Sequence, residues 1–361
     1  MKEFVAISSL ESPDHAMRKD PRIISVQWFI GKRCNYDCSY CSPFIHDNYS
    51  SHIDYKKAIQ FIDNLDRHCI NQGKQFKISL TGGEPFVHPR MLDILEYISS
   101  KPNCRALVIT TNGSLPLEMY TKSLKWVTNL TVSLHLEEGD KTTKSTVTKI
   151  IELNKSNRFI NVHLMACPGH FDTVKQTAKQ FDDADVNYVI RKIEPPTEDF
   201  ALNTKTKKEG QTAVKNTQEH AKEKKAHRNY TNTQFQKLLT TYYSEDEWNY
   251  LQSLENSEKW QNMRLWHKDS SFTEIHSDEL KRTMTNSFKG WVCYIGIDSI
   301  NIEADGTVYR GVCLAGDPLG NINNDLVFPE EPMICPIGWC TCLSDMVVRK
   351  SSTEEYRELI E

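Results

Sequence analysis

Between Ile23 and Pro195 the chain alternates short apolar runs with stretches of helical spacing. Ile23–Ile30 (IISVQWFI) reads as a buried strand. Asp54–Cys69 carries Tyr55, Ile59, Ile62 and Leu65 at the spacing of one helix face. Phe76–Leu80 is a strand that runs into Thr81-Gly82-Gly83-Glu84-Pro85, and Met91–Ile98 is helical. Ala106–Thr111 is a strand ending in Asn112-Gly113, Leu130–Leu134 is a strand ending near His135, and Val147–Leu153 is helical. Ile160–Ala166 is the next strand. Asp172 is expected to cap a helix carrying Val174, Ala178 and Phe181, and Val186–Ile193 is the sixth strand.

Six strands separated by helices predict parallel βαβ units. The expected fold class is therefore α/β, a partial (β/α)6 barrel, with a small C-terminal cysteine-rich β-hairpin/α extension. In α/β barrels the chemistry collects at the C-terminal ends of the strands. Cys34, Gly82, Gly83, Glu84, Asn112, Ser133 and His135 all fall at or just past such ends.

Beyond the sixth strand the pattern changes. Thr197–Arg228 is rich in Lys, Thr, Asn and Gln and reads as a solvated linker, or as a basic contact for an acidic partner. Tyr230–Trp266 is aromatic (Phe235, Tyr242, Tyr243, Trp248, Tyr250, Trp260, Trp266) and reads as helical, either a lid or a packing element. From Trp291 a compact module begins, in which Asp305-Gly306 signals a hairpin between Ser299–Glu303 and Thr307–Arg310. The expected divisions are 1–22, an N-terminal segment; 23–196, the barrel; 197–285, linker and aromatic insertion; and 286–361, the cysteine-rich module.

The chain has 361 residues, 39% hydrophobic and 25% charged, with a net charge of −4. That near-neutral balance gives no reason to expect nucleic acid or an anionic membrane as partner. No apolar run approaches the roughly 20 residues that span a bilayer, and the first twenty residues lack the apolar core of a secretory signal. A cytoplasmic location is the expectation. Reducing compartments disfavour disulfides, so the eleven cysteines point to metal where they cluster. Cys69, Cys104 and Cys167 are scattered and read as core residues.

Cys34, Cys38 and Cys41 sit on one short loop and can each offer a thiolate to one cluster. A cubane has four irons, and three thiolates leave one iron open to a substrate or cofactor. A zinc site with His46 as fourth ligand is the alternative. The CxxxCxxC pattern, with Tyr40 before its last cysteine, resembles the radical S-adenosylmethionine (SAM) superfamily, and Gly82-Gly83-Glu84-Pro85 resembles that family's GGE motif. The resemblance covers roughly Ile23–Pro195. It implies a [4Fe–4S] cluster whose open iron is chelated by SAM, which is cleaved reductively to a 5′-deoxyadenosyl radical that takes hydrogen from substrate. The glycines would let backbone carbonyls approach the SAM ammonium, and Glu84 would supply charge. By the same resemblance Asn112 and Ser133 lie where the SAM carboxylate and ribose are held, with His135 nearby. Met165 and Ala166 neighbour the adenine. Arg191 faces either SAM or substrate, or makes a plain ion pair.

Cys293 and Cys313 flank the predicted hairpin, and Cys335, Cys340 and Cys342 follow. This region resembles the twitch, or abbreviated SPASM, extension of some radical SAM enzymes, which implies an auxiliary [4Fe–4S] cluster. Five cysteines fill one four-thiolate cluster with one to spare. Cys293 and Cys313 are the firmer ligands, joined by Cys340 and either Cys335 or Cys342; a structural zinc is the alternative. The expected substrate is a ribosomally made peptide or protein, with a small molecule such as a sugar or aminocyclitol as the second possibility and an electron donor such as flavodoxin or ferredoxin as partner. A non-catalytic iron–sulfur or zinc protein is the third reading, against which the Gly82-Gly83-Glu84-Pro85 corner argues. Glu194, Asp298, Asp317 and Asp345 are all candidates for a general base.

Overall fold

The computed structural model describes residues 4–9, 22–41, 46–156, 159–193, 241–254, 262–324, 326–340 and 342–360. Most of the expected linker and insertion, including Thr197–Arg228, Phe235 and Trp260, and the candidate base Glu194, lie outside these residues. No described helix is long and apolar enough to cross a membrane.

Elements are numbered in chain order. β1 (Phe4–Ser9) comes first, followed by β2 (Ile23–Phe29), β3 (Gln75–Thr81), β4 (Cys104–Thr111), β5 (Asn129–Leu134), β6 (Phe159–Ala166) and β7 (Tyr188–Lys192). β2 to β7 pair in parallel, each with the next. The connections carry α1 (Tyr55–Gln72), α2 (Met91–Ser99), α3 (Leu117–Ser123), α4 (Asp140–Asn154) and α5 (Phe171–Asp183). The six strands expected from the apolar runs are thus all present. Asp54 caps α1 by accepting from the Lys57 N–H at 3.1 Å, and Gly73 ends it in the left-handed region at φ +61°. Asp172 is a correction: it lies inside the first turn of α5, and His170 precedes the helix. An acidic side chain in that turn still complements the helix dipole.

Alternation along the strands sorts the sheet into two faces. Ile24, Val26, Trp28, Phe76, Ile78, Leu80, Val162 and Leu164 pack in one core with Phe61, Leu65, Ile94 and Phe181 of the helices. The opposite positions are mostly polar, with Ser25 and Gln27 on β2, Lys77 and Ser79 on β3, Thr131 and Ser133 on β5, His163 on β6 and Arg191 on β7, while β4 presents Ala106 and Val108 there.

The C-terminal part extends this sheet. β11 (Ser299–Ile302) pairs in parallel with β2, from Ser299 opposite Ser25 to Ile302 opposite Trp28. β12 (Thr307–Tyr309) returns antiparallel to it, as the Asp305-Gly306 signal predicted, and β13 (Gly320–Asn321) follows. A second sheet has the order β14 (Met333–Ile334), β10 (Val292–Cys293), β15 (Lys350–Ser351), β1, β8 (Asn262–His267), β9 (Phe272–His276). Residues 4–9 of the expected N-terminal segment therefore form a central strand of that sheet. Trp266, expected in a helix, lies in β8, where alternate residues Met263 and Leu265 are buried. Helix α6 (Glu245–Ser253) accounts for Trp248 and Tyr250, and its start carries a capping box between Ser244 and Glu247. Two short helices, α7 (Ser277–Arg282) and α8 (Leu343–Met346), and 3-10 turns at Pro85–Val87 and Glu354–Leu359 complete the described elements.

Two polar ties hold the frame. Arg349 makes a two-pronged contact with Asp298 (Nε to Oδ2 2.7 Å, Nη2 to Oδ1 2.8 Å), both side chains being buried. Lys74, at the foot of β3, donates to the Ile297 carbonyl at 3.3 Å. Asp298 is thereby committed to structure and is not a free base. At the other end of the sheet, buried Glu84 accepts from Phe86 N at 3.0 Å and Thr111 Oγ1 at 2.8 Å with one oxygen, and from Asn112 N at 2.6 Å with the other. Burial pushes its carboxyl up to about 7, against the pull of these three donors.

Asp298→Ala is expected to destabilise the chain by about 3–5 kcal/mol, because it leaves a buried guanidinium unpaired. Glu84→Gln, although isosteric, turns one acceptor into an NH₂ group that faces an N–H or O–H donor. Its expected cost is about 1–3 kcal/mol. Urea midpoints of the iron-loaded variants against the parent chain check both.

Candidate active site

The loop after β2 leaves the sheet at Gly31 and is laced to the loop after β3 by backbone alone. Ile30 N–H donates to Thr81 O (2.8 Å), Gly83 N–H to Gly31 O (2.9 Å) and Glu84 N–H to Arg33 O (2.9 Å). A Cβ on Gly82 would run into the Gly31 carbonyl, and one on Gly83 into the carbonyls of Lys32 and Arg33. Gly82 also sits at φ +127°. The glycines are therefore demanded by the neighbouring loop, a reason the sequence did not disclose. Asp47 closes the loop from the far side through backbone bonds, Cys34 N–H donating to Asp47 O at 2.7 Å and Asp47 N–H to Lys32 O at 2.9 Å.

Cys34, Cys38 and Cys41 then face one cavity of about 130 Å³, together with Tyr36, His46, Thr81, Gly82, Gly83, Thr110, Thr111, Asn112, Ser133 and His135. Nine of the residues singled out from the sequence, His46 included, thus meet at one place past the ends of four successive strands. Glu84 is turned beneath the cavity floor, where it ties the end of β3 to the end of β4. Met165 is not among the lining residues; it lies on β6 one same-face position beyond His163, opposite Arg191 of β7.

Several contacts that the sequence did not signal hold the cysteine loop. Asn112 Nδ2 donates to Asn35 Oδ1 at 3.0 Å and approaches Cys34 Sγ at 3.8 Å, and Tyr36 N–H points to the same sulfur at 3.4 Å. Glu137 accepts from Ser39 N (2.7 Å) and Ser39 Oγ (2.6 Å), and Cys167 Sγ lies 3.7 Å from it. Tyr40 bonds His135 Nδ1 through its hydroxyl at 2.6 Å and stacks on the ring, with centroids 5.9 Å apart. Burial drops the His135 imidazole to about 4, so it is neutral near pH 7. Burial also pushes the Cys34 and Cys38 thiols up, with Tyr36 N–H pulling back on Cys34 and Cys41 pushing further on Cys38.

Among the described residues no three His, Cys, Asp or Glu side chains close on a single metal ion. His46, weighed as a fourth zinc ligand, spends Nε2 on the Tyr36 carbonyl at 2.5 Å. Three cavity-facing thiols without a fourth protein ligand are a donor set that fits a cluster with one open iron.

Four of the five C-terminal cysteines share one core. Cys293, Cys313, Cys335 and Cys340 are buried in one core with Phe288, Val292 and Met346. Cys342 precedes α8. Asp345, another candidate base, uses its carboxylate on the backbone N–H groups of Val312 (3.3 Å) and Cys313 (2.5 Å).

Residues 28–158 match the family model described as Radical SAM superfamily. The GTP 3',8-cyclase of Trichormus variabilis is 36% identical over 90 residues, covering 23% of this chain and 25% of its own length. That of Geobacter sulfurreducens is 33% identical over 135 residues, covering 37% and 40%. The chain thus spans about a quarter to two-fifths of these curated relatives. Among solved structures, anSMEcpe with bound AdoMet aligns with a TM-score of 0.48 at 14% identity, over 84% of this chain and 79% of its own. Streptococcus suis SuiB bound to precursor peptide SuiA aligns at 0.49 and 11%, over 84% and 63%. The matched stretch holds the cysteine loop, the Gly-Gly-Glu corner, Asn112, Ser133 and His135, so the similarity to the radical SAM superfamily falls on the residues that build the cavity.

Proposed function

We propose that this chain is a radical SAM enzyme that binds a [4Fe–4S] cluster on Cys34, Cys38 and Cys41 and SAM in the cavity beside them. The observation that carries this reading is the single cavity lined by three thiols and by the ends of β3, β4 and β5. When bound, the cluster and SAM supply a 5′-deoxyadenosyl radical, and the protein supplies placement and exclusion of water.

The chain's own residues have definable parts in this. Asn112 and Tyr36 direct N–H groups at Cys34, and Glu137 pins the turn between Cys38 and Cys41. The buried thiols stay protonated until iron displaces the proton, so cluster assembly releases protons. Neutral His135, held by Tyr40, adds no cation to the pocket. The polar face of the sheet supports a partial (β/α)6 barrel. Ser25, Lys77, Thr131 and Ser299 on it are buried although the helices cover the other face, which is how a sheet curled around its own polar interior behaves.

The burial of Cys293, Cys313, Cys335 and Cys340 in one core, with Cys342 two residues on, supports a twitch-like module with an auxiliary [4Fe–4S] cluster on Cys293 and Cys313 and two of Cys335, Cys340 and Cys342. Such a module supports a ribosomally made peptide or protein as substrate, with flavodoxin or ferredoxin as electron donor. A small-molecule substrate is the second reading, and the name of the sequence relatives, GTP 3',8-cyclase, favours it.

Anaerobic reconstitution with iron and sulfide, followed by SAM and dithionite, tests the proposal. About eight irons per chain and formation of 5′-deoxyadenosine are expected. Cys38→Ala is expected to abolish 5′-deoxyadenosine, and Cys313→Ala to leave slow abortive cleavage while losing product. About four irons with one zinc would remove the auxiliary cluster. Full 5′-deoxyadenosine formation by Cys38→Ala would remove the proposed function.

A further inference from the structure

Lys350 is a fully buried ammonium, at 1% exposure, in a part of the molecule that the radical chemistry does not use. A buried charge is costly unless it is paired and hydrogen-bonded. Its three N–H donors are all spent on backbone: the carbonyls of Asp345 (2.5 Å), Met346 (3.2 Å) and Val348 (2.9 Å), at the C-terminal end of α8. Those bonds satisfy its protons but supply no countercharge.

The strand register shows what surrounds it. Lys350 on β15 is directly opposite Cys293 on β10, and Cys293 in turn is opposite Met333 on β14, two residues before Cys335. Directly opposed residues in an antiparallel pair have Cβ atoms about 4.5–5.5 Å apart on the same face. Cys340 is buried in the same core, and Phe288 lies under the ammonium at 5.2 Å. Three carbonyl acceptors around one amine call for three N–H donors, which only the ammonium form supplies. Asp345 is the one carboxylate in this group, and it already accepts from the Val312 and Cys313 N–H groups.

We propose that Lys350 is a fixed positive charge for the second cysteine set, placed against the iron–sulfur cluster that Cys293 and its partners hold so that this cluster is easier to reduce. This rests on the auxiliary-cluster reading above. Net charge is one of the factors that set an iron–sulfur potential. Lys350 acts on it from outside the ligand set, as a positioning residue for charge. Asp345, on the same turn, acts with the opposite sign.

The test uses the full chain with Cys34, Cys38 and Cys41 replaced by Ala, so that the remaining iron and its EPR signal belong to the second set. About four irons per chain in this background confirm that the cluster exists. Absence of iron there overturns the auxiliary-cluster reading itself, and the proposal with it. With iron present, an EPR-monitored redox titration compares Lys350→Gln and Asp345→Asn with the parent. Lys350→Gln is expected to lower the equilibrium constant for reduction at least tenfold, about 59 mV for one electron, and Asp345→Asn to raise it. A merely structural role moves iron content or stability but gives no pair of opposite shifts. Unchanged potentials in iron-loaded Lys350→Gln, or shifts of the same sign in both variants, overturn the proposal. If Lys350→Gln does not load iron, Asp345→Asn decides: a rise supports the proposal and no shift overturns it.

Discussion

The candidate site depends on the close approach of two backbones. The chain at Gly31–Arg33 lies so near Gly82 and Gly83 that neither position has room for a Cβ. That contact, with the three backbone bonds that follow it, places the cysteine loop over the ends of β3 and β4 before any cysteine side chain takes part. Glu84 then passes the constraint on, because its buried carboxylate takes the N–H of Asn112 and so sets where the Asn112 side chain meets Asn35 and Cys34. A substitution that reopened the first contact would disorganise the thiols and the amide together.

The sheet above this corner has two different faces, and the difference explains why the cavity lies where it does. Apolar residues on one face pay for burial under α1 to α5. The other face is mostly polar yet buried. Among the described residues Ser25 Oγ, Ser299 Oγ, Asn129 Oδ1 and Asn301 Oδ1 have no hydrogen-bond partner. Buried polar atoms of this kind are usually met by water or ligand. A largely polar sheet face leading to a thiol-lined cavity suits the proposed chemistry on a polar substrate at the strand ends.

Much of this was legible in the sequence because it is local. A strand's alternation, the Asp305-Gly306 turn and three cysteines within eight residues each declare themselves over a few positions. What stayed hidden depends on pairs far apart in the chain. Ser39 meets Glu137 across 98 residues, and Tyr40 meets His135 across 95. Phe4–Ser9 is a short apolar stretch in a polar-looking terminus, and only its partners β8 and β15 make it a strand. Glu84 was legible as an important charge but not as a buried one, since nothing in Gly-Gly-Glu tells which way the carboxylate turns. Lys350 was invisible for the same reason: a lysine is ordinarily a surface residue, and its burial follows from α8 ending beneath it.

The parallel pairing of β11 with β2 bears on how the two cysteine sets work together. Cys34 leaves the C-terminal end of β2, whereas Cys293 precedes the turn that leads into Ser299, which is level with Ser25 near the start of β2. Asp298, Arg349 and Lys74 gather at that same lower end. A seven-residue strand is about 20 Å long at roughly 3.3 Å per residue, so the two sets sit toward opposite ends of one hydrogen-bonded frame. In the proposed reading, substrate reacts at the upper end, where SAM is held. A cluster near the lower end is poorly placed to ligate that substrate and better placed to exchange electrons with it across the sheet. A fixed cation at Lys350 is consistent with that division, because charge beside a fully thiolate-bound cluster changes its potential without needing an open iron.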